Sequence, residues 1–583
     1  MTPPVPPVVW SIAGNDSGGG AGLSADLRAA AAFGVHLCPV VAAVTAQNSR
    51  AVTRVEPVPT DVLEAQLTAL ERDLPPAAVK TGLLGDAAHI ALVARWIDRL
   101  RQRAPVALVV DPVLGASTGA AFADAAALAA YRDLLLPRAT VVTPNGREAH
   151  MLAGQGGQGA APALAAALKA LGAQSVAITG GDDRAVAGWA LDWIDTPHAS
   201  SWLALPRVPT PHHHGTGCTF ATGVASALAL GFVPADALVL AKMATALALR
   251  HGHAAGQGAG PVAARAGFGA QPDLLPWMSW GEDVSLPPSP PGGGPGEGAS
   301  GVTTSQAAGP HPNLPPEGEG ARPSNLGIYP IVDSADRVRQ VVAAGARTVQ
   351  LRIKTPAAPD AGWHAALRQS VAQALAACNA VGATLVVNDH WRLARELGAP
   401  AVHLGQEDLV ALGEAGRVEL AAAGLQLGIS SHSLWELCRA RSLRPWYAAC
   451  GPVWPTLTKA MPWVPQGLDN LAWWVHMAGV PVVAIGGILE PPQLLAAARS
   501  GASGVCVVRG LGDDPAETLP RWQTALTEGR AAPQLPVPAL PHSSLIESAG
   551  ALPGERGQRS LLEVMDGIPG GNFDYEPPRI DGD

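Results

Sequence analysis

Apolar residues recur along the first half of the chain in short β-branched runs, and Ala- and Leu-rich stretches separate these runs. Each separating stretch is long enough for a helix, and such alternation is typical of a parallel sheet with helices on its faces. We therefore predict an α/β unit over residues 8–268. Strands are predicted at 8–12, 40–44, 107–111, 140–143 and 175–178.

The second half shows the same alternation with greater regularity. Eight apolar runs of strand length follow one another, and a stretch suited to a helix or turn follows each run. Eight consecutive βα units predict a closed (β/α)8 barrel of the TIM type. The strands are expected at 327–332, 348–353, 384–388, 401–404, 425–430, 447–453, 481–485 and 504–508.

A segment poor in large apolar residues separates the two halves. Residues 285–323 contain 19 Pro or Gly among 39 residues, a composition that cannot bury a core. We predict a flexible linker over 269–323, around which the two units move independently, and a barrel unit over 324–533. Residues 534–583 begin with Pro-rich sequence and are acidic from residue 541 onward, which predicts a disordered tail.

Charge and composition limit the kinds of partner. The 583 residues carry a net charge of −9 without a long basic run, so we expect neither nucleic acid nor an anionic membrane surface as a partner. No apolar stretch approaches the ~18 residues of a membrane span and no signal peptide is evident, which predicts a cytoplasmic protein. Six scattered cysteines show no zinc-site spacing and fit reduced thiols. A homo-oligomer is compatible with the sequence.

The most informative motif is His-His-His-Gly-Thr-Gly-Cys-Thr at 212–219, directly before an Ala-rich helical stretch. The N–H groups of Gly215, Thr216 and Gly217 at a helix N-terminus are suited to bind a phosphate, and the same field favours the thiolate of Cys218. The alternative is an ordinary turn followed by a small buried Cys. A second Gly-rich stretch at 13–26 favours phosphoryl transfer, because two such loops can hold a phosphate and a substrate.

Four further motifs accompany these two loops along the chain. They are Ala43-Val-Thr-Ala-Gln-Asn48, Val79-Lys-Thr-Gly82, Val110-Asp-Pro-Val113 and Thr143-Pro-Asn-Gly-Arg-Glu-Ala149. Together with the loops, they resemble the hydroxymethylpyrimidine and phosphomethylpyrimidine kinases of thiamine biosynthesis, which are ribokinase-like proteins. The resemblance covers nearly the whole first unit and implies a three-layer α/β/α fold, with ATP as the phosphoryl donor.

The resemblance also implies a substrate site in the first unit. The pyrimidine is expected near Gly14, Asp26 and Gln47, and the amide of Gln47 can both donate to and accept from an aminopyrimidine ring. Cys218 would take the proton of the attacking group, while the helix terminus stabilises charge on the moving phosphoryl group. For Gln47 alone, a cap at a strand end is an open alternative.

A magnesium and phosphate site is implied nearby. Asn145 and Glu148 match an Asn-x-x-Glu element of the family that helps to hold Mg²⁺, and Asp111 is a further candidate. Taken singly, Asn145 is also compatible with a turn residue, and Glu148 with the third position of a helix-start capping box. Thr179 stands where the family usually has Lys, and Asn15 replaces the more usual Ser.

In the second half, polar residues cluster where the predicted strands end, which is where barrel enzymes place their sites. Arg352 and Lys354 offer two cations for a diphosphate, and the carboxylates of Asp389 and Asp408 suit Mg²⁺. These charges, and that of Lys459, are costly to place in a barrel mouth without a charged ligand. Departure of magnesium pyrophosphate is the step that this arrangement implies.

This set looks like that of thiamine phosphate synthase over essentially the whole of 324–530. The resemblance implies that Mg²⁺ binds to Asp389 and Asp408, and that the aminopyrimidine diphosphate binds to Gln350, Arg352, Lys354, Asn388, Ser430 and Lys459. The thiazole phosphate would bind to Thr456, Thr458, Gly487, Val508 and Arg509. Two positions depart from the family: Ile353 stands where Glu is common, and Val508-Arg509 replaces a Val-Ser pair. A plain turn at Gly487 and a core role for His403 are open alternatives.

We therefore expect a bifunctional enzyme that acts on small molecules. It would phosphorylate hydroxymethylpyrimidine twice and then couple the diphosphate to hydroxyethylthiazole phosphate, with release of thiamine phosphate. The alternatives are a pyridoxal-type kinase fused to a thiazole tautomerase-like barrel, and a barrel that only senses a ligand.

Overall fold

The computed structural model describes residues 5–115, 123–154, 159–181, 186–283, 325–456 and 463–545. The first unit is built on a ten-stranded sheet with the order β10-β9-β8-β7-β6-β5-β4-β1-β2-β3. The six strands from β7 through β2 in this order run parallel, and antiparallel strands extend both edges. The strands are β1 (Val8–Asp16), β2 (His36–Gln47), β3 (Val52–Pro57), β4 (Ala78–Thr81), β5 (Ala107–Val110), β6 (Val141–Val142), β7 (Val176–Ile178), β8 (Trp189–Asp195), β9 (Ser200–Pro206) and β10 (Trp277–Met278).

Helices cover both faces of this sheet. One apolar core contains Phe33 of α1, Phe220 of α7 and Leu238 of α8, and a second core on the opposite face contains Ile97 of α3 and Leu152 of α5. The first unit is therefore a three-layer α/β/α fold, as predicted. Its helices are α1 (Gly22–Phe33), α2 (Thr60–Asp73), α3 (Ala87–Arg101), α4 (Ala125–Ala130), α5 (Gly146–Ala153), α6 (Ala161–Ala170), α7 (Thr216–Ala229) and α8 (Pro234–Arg250).

The second unit is a closed barrel of eight parallel strands. All eight predicted strands are confirmed. The largest difference is at β16, which ends at Cys450 because the chain turns at Pro452. The strands are β11 (Gly327–Val332), β12 (Thr348–Leu351), β13 (Thr384–Asn388), β14 (Ala401–Leu404), β15 (Gln426–Ser431), β16 (Tyr447–Cys450), β17 (Val482–Ala484) and β18 (Gly504–Val507). The helices are α9 (Ala335–Ala343), α10 (Ala361–Val381), α11 (Trp391–Leu397), α12 (Gln406–Ala411), α13 (Gly413–Ala422), α14 (Leu434–Ser442), α15 (Gly467–Met477), α16 (Pro491–Ala498) and α17 (Pro515–Ala531).

Two predicted boundaries are wrong. Residues 269–283, assigned to the linker by composition, pack on the first unit: β10 pairs with β9, and Leu274 and Met278 are buried. Residues 534–545, assigned to the tail, lie along the barrel, where the N–H of His542 donates to Asn470 Oδ1 at 2.9 Å. Both segments contain apolar residues that pack on the folded units, and the average composition of the longer linker and tail regions did not indicate this. The remainders of the linker and tail predictions, 284–323 and 546–583, lie outside the described residues.

The two units also contact each other. Helix α8 packs against α14, and one apolar cluster runs without interruption from the first sheet into the barrel. The prediction that the units move independently is therefore wrong for the structure described here. None of the described helices combines the length and the apolar character needed to cross a membrane.

Candidate active sites

The two Gly-rich segments of the first unit meet at the carboxyl edge of the parallel strands. Asp16, at the end of β1, is nearly buried, and its carboxylate accepts hydrogen bonds from Gly18, Gly20 and Ala21 N–H at 2.8–3.0 Å. Its Oδ2 also lies 3.0 Å from His214 Nε2, in the second segment. Burial alone would raise the pKa of Asp16, but the hydrogen bond from His214 and those from the backbone hold it below its usual value. This pair therefore fastens one Gly-rich loop to the other.

Glycine is required where the two loops touch. Gly22 and Gly215 have φ values of +53° and +86°, in the left-handed region that favours glycine. A Cβ on Gly22 would collide with the carbonyl oxygen of Gly14, and a Cβ on Gly215 would collide with that of Gly20. The N-terminus of α7 can therefore approach the loop between β1 and α1 only because Gly215 lacks a side chain, and the start of α1 can approach the end of β1 only because Gly22 lacks one.

A buried charged cluster lies behind Cys218. Lys80, at 0% exposure, places its Nζ 3.2 Å from both carboxylate oxygens of Asp26 and 3.5 Å from Asp111 Oδ2. Thr222 lies one helical turn after Cys218 on α7 and donates to Asp26 Oδ1 at 2.7 Å. Because residues four apart share a helix face, the thiol side of α7 faces this cluster.

The charge state of Cys218 differs from the sequence-based expectation. Burial raises the pKa of the thiol to about 12, although the residue as a whole is only half-buried. Lys80 opposes this effect, Asp26 and Asp111 add to it, and the N–H of Gly22 donates to the sulfur and lowers the pKa. Desolvation and the neighbouring carboxylates therefore favour the neutral thiol in the free protein, opposite in direction to the expected effect of the helix terminus.

Two further expectations about this site need correction. Thr216 N–H donates to the carbonyl of His213 at 3.3 Å, so it is already engaged, while the first turn of α7 presents Gly217 at the surface. Asp26 is fully buried, and its carboxylate is surrounded by Lys80, Thr222 and, at 2.6 Å, the hydroxyl of Ser11. Asp26 is thus placed to support the site from inside, without an exposed surface for a substrate.

Gln47 and Gly14 lie at the same edge of the sheet. Gly14 is at the bulge where β1 shifts its register against β2. Gln47, at the end of β2, is half-buried, and its Nε2 lies 3.3 Å from His214 Nε2. Its side chain is therefore beside the Asp16 and His214 pair, next to the Gly-rich turn.

The Asn-x-x-Glu element forms the start of α5. Asn145 Oδ1 accepts from Glu148 N–H at 2.9 Å and Glu148 Oε2 accepts from Asn145 N–H at 3.0 Å, which is a capping box. The pair is near Asp111, because both Asp111 and Glu148 raise the pKa of the intervening Tyr131, after burial as the main cause. Asp111 itself is buried, which raises its pKa, and Lys80 opposes that shift. Thr179, which follows the neighbouring strand β7, forms an isolated parallel β-bridge with Asn145.

Inside the barrel, a chain of hydrogen bonds joins two predicted substrate ligands. Gln350 Nε2 donates to Tyr329 Oη at 3.0 Å, and Tyr329 Oη lies 2.7 Å from Tyr447 Oη. His403 Nδ1 lies 3.0 Å from Tyr447 Oη, and its Nε2 lies 3.0 Å from Ser430 Oγ. Burial lowers the pKa of His403 to about 4, helped by Arg352 and His432, so the ring is neutral. His403 is therefore a core residue, as the alternative held, but one that contacts the site.

The carboxylates expected to bind Mg²⁺ lie together at the barrel mouth. Burial and then the charge of Asp408 raise the pKa of Asp389, while His390, Arg352 and Asn388 lower it. Asp389 has φ +64°, a conformation that Asp tolerates better than most residues. Asp408 Oδ2 accepts from Gly405 N–H at 3.0 Å. A cleft of about 700 Å³ borders both carboxylates.

The donor chemistry of this pair fits Mg²⁺. A carboxylate whose pKa is raised by burial and by a neighbouring carboxylate, as for Asp389, is relieved by a hard cation, which takes few protein oxygens and completes its shell with water and phosphate. Within the described part of the chain, no group of three or more His, Cys, Asp or Glu side chains is placed to hold a metal.

The other diphosphate candidates surround this mouth. Asn388 is nearly buried at the end of β13, Arg352 is half-buried just after β12, and Lys354 is exposed. The carbonyl of Ile353 lies 3.2 Å from His390 Nε2, so this stretch is attached to the loop that carries Asp389.

The thiazole side is only partly described. Gly487 has φ +72°, and a Cβ there would collide with Trp454, so the Gly pair brings the loop after β17 close to that after β16. Val508 and Arg509 are exposed at the end of β18. Thr456 is half-buried and is the last described residue before the gap at 457–462. Thr458 and Lys459 fall in this gap and lie outside the described residues.

Sequence reasoning missed several residues that organise these sites. Asp16 and His214 lie inside the recognised Gly-rich motifs, and the rarity of lysine, five against 34 arginines, was the available signal for Lys80. Tyr329 and Tyr447 lie in apolar strand runs that carry no signal of a polar network.

Comparison with known protein families agrees with the two-unit organisation. The sequence model of the family described as phosphomethylpyrimidine kinase matches residues 16–263, and that described as thiamine monophosphate synthase matches residues 328–511. A hydroxymethylpyrimidine/phosphomethylpyrimidine kinase from Synechococcus elongatus is 44% identical over 44% of this chain and 96% of its own. A thiamine-phosphate synthase from Rhizobium etli is 42% identical over 35% of this chain and 97% of its own.

One relative spans both units. The probable thiamine biosynthetic bifunctional enzyme, chloroplastic, from Oryza sativa is 31% identical over 87% of this chain and 86% of its own. A pyridoxal-type kinase joined to a tautomerase-like barrel is a less specific fit to these relatives. Because the rice protein is named chloroplastic, the cytoplasmic location stays a prediction. With both halves matched, and with one relative that spans them, the chain belongs to the bifunctional thiamine-biosynthetic enzymes that unite a hydroxymethylpyrimidine/phosphomethylpyrimidine kinase with a thiamine-phosphate synthase.

Proposed function

We propose that the first unit transfers phosphoryl groups from ATP at the turn formed by Gly215, Thr216, Gly217 and Cys218. The substrate oxygen attacks the γ-phosphorus, the bond from phosphorus to the ADP oxygen breaks, and the substrate proton passes to the Cys218 thiolate. The thiolate is a minor form in the free protein, so Lys80 contributes by stabilising its charge. The N-terminus of α7 stabilises the moving phosphoryl group.

Gln47 and the backbone at Gly14 hold the pyrimidine ring in this proposal, and Asp26 keeps Lys80 in place. Asn145, Glu148 and Asp111 are the residues that would hold Mg²⁺ with the nucleotide phosphates, and the oxygen-rich set suits that cation. Mg²⁺ supplies neutralisation of phosphate charge there.

In the barrel, the pyrimidine diphosphate binds to Gln350, Arg352, Lys354, Asn388, Ser430 and Lys459. The bond from the methylene carbon to the diphosphate oxygen breaks, and the thiazole nitrogen attacks the resulting cation. Arg352 and Lys354 stabilise charge on the leaving pyrophosphate. Asp389 and Asp408 would hold Mg²⁺, which neutralises part of the same charge when bound. Thr456, Thr458, Gly487, Val508 and Arg509 hold the thiazole phosphate.

The convergence of Arg352, Asp389 and Asp408 at one barrel mouth, with Lys80 behind Cys218 in the other unit, carries this proposal. The test is incubation of the purified chain with hydroxymethylpyrimidine, ATP, Mg²⁺ and thiazole phosphate, with intermediates followed by mass. We expect C218A to stop at the unphosphorylated pyrimidine but to use supplied diphosphate, and R352A to accumulate the diphosphate.

The matched control is C378A, which removes a buried thiol from α10 of the barrel and should leave kinase turnover unchanged. Normal kinase turnover by C218A, or normal condensation by R352A, would contradict the assigned roles.

A further inference from the structure

Helix α14 of the barrel is buried on all sides. Eight of its nine residues, from Leu434 through Arg441, are buried. An outer helix of a barrel normally keeps a polar face in water. Two arginines, Arg439 and Arg441, are only 7% and 8% exposed, and arginine is almost never buried without partners.

Each of these arginines lies over a tryptophan of the first unit, and Arg439 also contacts Trp435 and donates to Gln406 Oε1 within the barrel. The guanidinium of Arg439 lies 4.7 Å from the ring centre of Trp280 and 4.6 Å from that of Trp435. Arg441 lies 4.8 Å from the ring of Trp277, and its Nη1 donates to the carbonyl of Leu275 at 2.8 Å. Cations over tryptophan faces are attracted more strongly when water is excluded.

The first unit shows the complementary pattern. Helix α8 has fifteen of its seventeen residues buried, which leaves it without a solvent face. Its Asp236 is 1% exposed and accepts from Trp435 N–H, in the first turn of α14, at 2.9 Å. An acceptor from one unit thus satisfies a donor at a helix N-terminus of the other.

Two further hydrogen bonds join the two units at this surface. Trp473 Nε1 of α15 donates to the carbonyl of Gly269 at 2.6 Å, and Trp280 Nε1 donates to Ser442 Oγ at 3.0 Å. Trp277 and Trp280 are positioned by β10, which forms the edge of the first sheet. The contact surface is therefore formed by the folded parts of both units and not by the segment that connects them.

Helix α14 also borders the synthase site. It follows β15, which carries Ser430, and Glu436 Oε2 accepts from the N–H of His432 at 2.7 Å. Gln406 Nε2 donates to the carbonyls of both Ser430 and Glu436. A contact that sets the position of α14 therefore also sets the turn beside Ser430.

We propose that Trp277, Trp280 and Asp236 of the kinase unit form a docking site for helix α14, which holds the two units together without the connecting segment and positions the turn beside Ser430. The kinase unit is then a structural subunit of the synthase as well as the source of its substrate. The partner on each side is the other half of this same chain.

The test begins with the full chain carrying a recognition sequence for a site-specific protease within 284–324. After complete cleavage, we expect the two fragments to co-elute in a 1:1 ratio on size exclusion at about 1 µM, as stable interfaces of this kind do. Fragments that separate at this concentration overturn the proposal.

Variants then test whether the named residues cause the association. W277A/W280A on one fragment, or R439A on the other, should weaken association by at least about tenfold, as expected for buried aromatic and arginine anchors. The matched control is R99A, which removes a guanidinium 4.7 Å from Trp96 far from this surface and should leave association unchanged. Because W277A/W280A leaves the barrel sequence intact, loss of association cannot be assigned to a misfolded barrel.

The second readout rests on the proposed role of Ser430. In cleaved W277A/W280A, the KM of the synthase for pyrimidine diphosphate should rise while the barrel keeps its circular dichroism spectrum. An unchanged KM after loss of association would overturn the positioning part of the proposal, and association equal to that of R99A would overturn the docking site. Neither result would alter the substrates assigned to the two active sites.

Discussion

At the scale of single residues, Lys80 has the largest consequence for chemistry. It is the buried cation beside Asp26, Asp111 and Cys218, and its own pKa is held well above the usual range by these groups despite burial. We predict that K80M raises the pKa of Cys218 further and lowers kinase kcat by about 100-fold, at the lower end of the range for general acid–base catalysis. The measurements are kcat and the pH dependence of Cys218 alkylation.

Removal of Lys80 alone leaves buried carboxylates without a cation, which costs about 3–5 kcal/mol of folding free energy. The double variant K80M/D26N removes one of the two carboxylates together with the cation and should recover part of the stability, since Asp111 remains, but not kcat. C218S provides the background for alkylation. If K80M alkylates with an unchanged pH profile, Lys80 has only a structural role.

A second residue-scale prediction concerns Tyr447. Its hydroxyl links Tyr329 to His403, so Y447F leaves two buried polar groups without that partner. We expect a loss of about 1–3 kcal/mol in the free energy of unfolding, measured by chemical denaturation. The KM for pyrimidine diphosphate should rise about threefold to tenfold, equivalent to roughly 1 kcal/mol of binding.

The control for Y447F is Y131F, which removes a buried hydroxyl from the first unit, where it donates to the Gly82 carbonyl. It should leave the KM of the synthase unchanged. Equal KM values for Y447F and the native protein would mean that the chain of hydrogen bonds does not position Gln350 or Ser430.

At the scale of elements, we predict that kinase activity depends on the close contact between the N-terminus of α7 and the loop that follows β1. G215A would force a Cβ into the Gly20 carbonyl and displace the first turn of α7. Because misplaced donors lose transition-state stabilisation, we predict a fall in kinase kcat of about 100-fold with unchanged synthase kcat. The measurement is steady-state kinetics of each half-reaction.

The matched control is G231A, which has φ +88° but no atom within 4 Å of the added Cβ. It carries the same backbone penalty, about 1–2 kcal/mol, without the collision. Kinase activity in G215A equal to that in G231A would show that the contact between the loops is not needed.

At the scale of the whole molecule, Asp236 makes the contact between the units sensitive to pH. Burial raises its pKa from 3.8 to about 7, with the N–H groups of Trp435 and Leu434 lowering it and Glu436 raising it. A carboxyl with a raised pKa contributes stability that is fully present below pH 3.8 and is lost as the pH rises through 7.

We therefore predict that the native protein loses stability between pH 5 and pH 8 relative to D236N, by about 2–4 kcal/mol at roughly 1.4 kcal/mol per pH unit. Asn keeps the acceptor for Trp435 N–H but does not ionise. The measurement is the thermal midpoint of each protein at both pH values. Parallel pH profiles for the two proteins would show that Asp236 is already ionised at no cost.

The sequence by itself determined the local elements and the family of each half, and it predicted which residues form the two candidate sites. Eight barrel strands were predictable because periodicity is a local property. The Gly-rich turn at 215–218 was predictable because its backbone conformation selects glycine. The polar residues at strand ends, such as Arg352 and Asp389, followed from the rule that parallel strands end at one edge.

Only the tertiary structure decided which distant groups share a buried space. Lys80 meets Asp26 across 54 residues, and the protonation of Cys218 follows from that burial, since desolvation and charge depend on segments that the motif does not contain. The contact of α14 with Trp277 and Trp280 could not be predicted from the sequence either. Trp and Arg residues indicate that a surface can be buried, but they do not indicate which other surface covers it.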